Sequence, residues 1–147
     1  MALSTCGPLV IATWTGPAPH GAVQAQRAAD EVRRLRKDTH AKLLLYVYLV
    51  GETAVLPEPE ARTIRAQLLQ YFDTCVGIHE GNSLRASLIR GVVTGMALMS
   101  RLGRAKMPHI VSTSEEAARY LAPKAGDQLD EAAILAAIEG TKQLSLQ

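Results

Sequence analysis

At 147 residues and 15.8 kDa the chain has the size of one domain and leaves no room for two ordinary ones. Its 48% hydrophobic and 20% charged residues supply a packed core and exclude a disordered chain, and 4% aromatics beside abundant Ala, Leu and Val favour helices on a sheet over an all-β sandwich. A net charge of +2 is too small an excess to call for nucleic acid or an acidic membrane.

The N-terminal residues Met1 to Thr13 lack the basic residues and long apolar run of a signal peptide. Leu9 to Thr15 (LVIATWT) is β-branched and aromatic, and Gly16-Pro17 closes it as a strand. The few residues ahead of it leave little room for a further strand. A helix follows from near His20 to Asp38, with Ala25, Ala28, Ala29, Val32 and Leu35 recurring at helical spacing on its buried face. Its other face carries Arg27, Arg33, Arg34, Arg36 and Lys37 among Asp30, Glu31 and Asp38. Asp30 stands three and four positions from Arg33 and Arg34, so a solvated, internally paired face is expected there rather than a phosphate patch.

Lys42 to Val50 (KLLLYVYLV) is apolar on both faces, as a central strand covered on both sides must be. Its apolar run, Leu43 to Val50, has eight residues, where a membrane-spanning helix needs about 20. Gly51 to Pro59 is a loop, and a second helix runs from about Glu60 to Phe72 with Ala61, Ile64, Leu68 and Phe72 inward and Pro59 at its start. Cys75 to His79 is a short third strand, and Glu80-Gly81-Asn82-Ser83 turns into a third helix from about Leu84 to Leu102. In that helix Leu84, Leu88, Val92, Met96 and Met99 form an apolar face that Ile89, Val93 and Ala97 widen, while Gly91 and Gly95 would admit a close neighbour. The surplus is either buried within the domain, with Ile134, Leu135 and Ile138 of the last helix to cover it, or an interface to a partner or a second copy.

Met107 to Ser112 is a fourth strand. The next helix opens on two capping-box spacings, Ser112 with Glu115 and Thr113 with Glu116, and Pro123 and Gly126 end it. Asp127 to Gly140 is a final helix or tail. The expected fold is therefore α/β, with about four mostly parallel strands alternating with helices around one sheet. Residues 1–123 form the domain, and 124–147 a C-terminal helix or tail packed on it. In such sheets ligands and partners meet the loops at the carboxyl ends of the strands: here Gly16 to Pro19, Gly51 to Glu58, Glu80 to Ser83, and Ser112 to Ser114.

Read with its residues, this order resembles the STAS superfamily (sulfate transporter and anti-sigma-factor antagonist domains), most closely its small stand-alone bacterial proteins. The resemblance is carried by Val10-Ile11-Ala12-Thr13-Trp14-Thr15-Gly16, the strand Leu43 to Val50, Val76-Gly77-Ile78, and above all Ile110-Val111-Ser112-Thr113-Ser114-Glu115-Glu116-Ala117-Ala118-Arg119-Tyr120-Leu121. It covers roughly Leu9 to Leu121. It implies a non-catalytic module that binds protein partners or, in some members, small molecules or lipids. Many members place an extra strand before the one holding Trp14. Classical antagonists carry a phosphorylatable serine in an Asp-x-Ser-Gly loop after the central strand. Here that loop reads Val50-Gly51-Glu52-Thr53-Ala54-Val55, with Thr53 as its one hydroxyl, which weighs against a kinase-operated switch.

The turn at Gly81, Asn82 and Ser83, followed by Arg85, offers helix-start N–H groups and a guanidinium to a phosphate or carboxylate, although Asn and Ser are also plain helix caps. No Gly-x-x-x-x-Gly-Lys sequence supports a nucleotide loop. His79 and Glu80 are adjacent on a strand and so face opposite ways; His20, His40 and His109 show no ligand spacing, and a structural role is expected for all four histidines. Cys6 and Cys75 fall short of a zinc site or a disulfide framework and are expected as reduced thiols. The leading expectation is a cytoplasmic regulatory or scaffolding module acting through protein contact and as a homodimer, with no catalytic residue, metal, cofactor, nucleic acid or membrane. The alternative is an anion- or small-molecule-binding domain using Gly51, Glu52, Thr53, Gly81, Asn82, Ser83 and Arg85.

Overall fold

A computed structural model describes residues 2–14, 22–38, 45–51, 58–81, 87, 91 and 108–146. Its elements are β1 (Ala2–Cys6), β2 (Leu9–Trp14), α1 (Ala22–Asp38), β3 (Leu45–Val50), α2 (Pro59–Leu69), β4 (Thr74–His79), β5 (His109–Val111), α3 (Ser114–Ala125) and α4 (Glu131–Ser145), with a 3-10 turn, Gly126–Gln128, between the last two. The strands form one five-stranded sheet in the order β1-β2-β3-β4-β5. β1 is antiparallel to β2, and every other pair is parallel.

The α/β reading holds, and the sheet has one strand more than expected. The two-residue turn Gly7-Pro8 is what makes room for β1, because Cys6 pairs directly with Leu9. Gly7 supplies the positive φ, 54°, that primed two-residue hairpin turns need. The strand is legible only weakly because Ala2–Cys6 lacks a strong apolar alternation and sits half-buried at the sheet edge.

Alternation along the central strands sends successive side chains to two separate cores. On one face, Leu9, Ile11, Leu45, Val47, Leu49, Val76, Ile78 and Val111 pack against Ala117, Ala118 and Leu121 of α3 and Ile134 and Ile138 of α4. On the other, Val10, Ala12 and Cys75 pack against Ala29 and Val32 of α1 and Leu68 of α2, with Phe72 filling the space just beyond α2. That double covering is why β3 is apolar at nearly every position. Ala25, Ala29 and Val32 are buried as the spacing in α1 requires. Its charged face pairs along the helix, Arg33 to Asp30 and Arg34 to Glu31.

Thr113 caps α3, accepting from the Glu116 N–H at 3.2 Å, while the Glu116 carboxylate accepts from the Ser112 N–H at 2.8 Å. The Thr113–Glu116 spacing is thus the one used, and the Ser112–Glu115 spacing is not. Pro123 does not end this helix: it lies in the last turn, which runs on to Ala125 and stops at Gly126, φ 60°. The final helix starts at an Asp130 cap and extends five residues past Gly140 to Ser145.

The third helix expected over 84–102 lies outside the described residues except for Ser87 and Gly91, both helical and exposed. Among the described residues, nothing lies within 4 Å of a Cβ built on Gly91. Cys6 and Cys75 are both free of disulfides. Among the described residues no helix is long and apolar enough to cross a membrane.

Candidate functional site

Two of the predicted site residues are described, and the sheet brings them together. Gly51 follows β3 and Gly81 follows β4; Val50 stands opposite His79 in register, and the Glu80 N–H donates to the Val50 carbonyl at 3.1 Å. Gly51 and Gly81 therefore stand side by side at the carboxyl edge, as the ends of neighbouring parallel strands must. Gly81 takes φ 109°, a conformation that side-chain-bearing residues rarely adopt. Glu52, Thr53, Asn82, Ser83 and Arg85 lie outside the described residues.

Alternation separates His79 from Glu80, as expected. His79 is 7% exposed and turns its ring edge-on to Tyr48, with centroids 5.8 Å apart, on the face that α1 and α2 cover. Burial holds the Tyr48 phenol above its ordinary range, against the opposing pull of the Arg65 guanidinium. Glu80 turns to the other face and meets Lys142 of α4 in an ion pair. Hydrogen bonding to the Glu80 carboxylate holds the Lys142 ammonium above the ordinary lysine range. This contact joins residues 62 positions apart and was invisible in the sequence. The one available signal, a lysine in the last turn of a helix whose apolar residues face the core, is shared by many helices.

A second feature occupies the rim where β5 passes into α3. An open concavity of about 540 Å³ is lined by His109, Ile110, Val111, Ser112, Glu116, Arg119 and Tyr120. Its Ser112 end belongs to a carboxyl-end loop, where a site is expected. His109 is exposed and stacks on Tyr120, with centroids 4.0 Å apart and planes 14° from parallel. The Lys124 ammonium stands 4.2 Å from the centre of the same Tyr120 ring, within cation–π range. Arg119 is 74% exposed and reaches Glu131 at 3.9 Å. Glu116 lines the hollow with its carboxylate already engaged by the Ser112 N–H. Helical spacing accounts for the wall: residues 116, 119 and 120 lie on one side of α3 because Ala117, Ala118 and Leu121 are drawn into the core.

Chemically, this rim sets the stacked rings of His109 and Tyr120 beside two cationic groups, Arg119 and Lys124, and two carboxylates, Glu116 and Glu131. Among the described residues, no three His, Cys, Asp or Glu side chains come together as metal ligands would. No family model matches the chain, and no curated protein or solved structure matches it either.

Proposed function

We infer that the protein is a non-catalytic regulatory or scaffolding module that acts through protein–protein contact, in the cytoplasm and as a homodimer. The observation that carries this reading is the rim of β5 and α3: an open hollow lined by Tyr120, Arg119 and His109 beside Ile110 and Val111. Tyr and Arg are enriched where proteins meet, because each combines a large contact area with directed polar groups. A further support is β1, the antiparallel strand ahead of β2, which is where the STAS resemblance calls for an extra strand. Capture of partners on the tagged full-length chain, combined with light scattering for mass, tests the reading. A specific partner and a dimeric mass are expected; a monomer that captures nothing and is stabilised by a small anion overturns it.

The anion- or small-molecule-binding reading has one observation of its own. Gly51 and Gly81 lie beside each other at the carboxyl edge, and Gly81 has a positive φ that side-chain-bearing residues rarely adopt. Phosphate and small carboxylates should raise the melting temperature in proportion to the logarithm of their concentration if that reading holds.

A further inference from the structure

We draw no further inference here: the strongest candidate, the exposed stripe of small residues that Ala132, Ala136 and Gly140 form along α4 with Leu144 continuing it, has nothing in the structure to show what covers it.

Discussion

Gly77 stands in the middle of β4, directly opposite Tyr48. A Cβ placed there would sit 2.4 Å from both Cζ and Oη of Tyr48 and 2.8 Å from Cδ1 of Ile110. Glycine is normally a poor strand residue, so its presence is explained by this close approach rather than by backbone freedom. Gly77→Ala is expected to cost about 1–3 kcal/mol as an overpacking change, read from the urea midpoint. Pairing it with Tyr48→Val should recover part of the loss, and strict additivity of the two would contradict the contact. At the Glu80–Lys142 pair the argument is electrostatic. The folded state raises the lysine pKa, so the pair's contribution is complete at neutral pH and is lost as pH rises through that raised value. The pair is partly exposed, so Lys142→Gln should cost about 1 kcal/mol at neutral pH and less in high salt. The difference from wild type should vanish in strongly alkaline urea titrations.

Elements differ in how openly the sequence announces them, and the reason is where their stabilisation comes from. α3 is local: Thr113 and Glu116, three residues apart, cap it with no help from the rest of the chain. Thr113→Ala should therefore cost about 1 kcal/mol in thermal or urea unfolding, whereas Ser112→Ala should cost much less, since only its backbone serves the cap. β2, β3 and β4 were legible for a similar reason, because two-sided burial leaves an apolar run that nothing else explains. β1 was not. It borrows its stability from β2 in register and from α4, whose Thr141 shares a hydrogen bond with Ser4 across 137 residues. Pro123 misled in the other direction: a proline in a final turn still breaks a hydrogen bond, yet α3 continues to bury Ala125 beyond it. The carboxyl edge was legible as a place because parallel topology fixes it. The β5 rim was not legible as a surface, since the stack of His109 on Tyr120 depends on how α3 crosses the sheet.

For the whole molecule, the two cores lie on opposite faces of one sheet and are built from alternate residues of the same strands. Leu9 and Ile11 belong to one core, Val10 and Ala12 to the other. Neither core can be lost while its strands stay in register, so the chain should unfold as one cooperative unit although its apolar clusters do not touch. Phe72, 1% exposed, anchors the α1–α2 side, and Ile138, fully buried, anchors the α3–α4 side. Truncating either to Ala removes buried carbon and leaves a cavity, at a cost of about 3–5 kcal/mol for Phe72 and about 2–5 kcal/mol for Ile138. Each variant should lower a single transition that near- and far-ultraviolet circular dichroism follow together. Side chains separated by the thickness of a sheet share no partners, so losses small enough to leave a folded double variant should add. Phe72→Leu with Ile138→Val, two milder truncations, is the pair for that measurement. A second transition, or a Phe72 variant that melts the helices of its own face while α3 and α4 persist, would mean that the sheet does not couple its two faces.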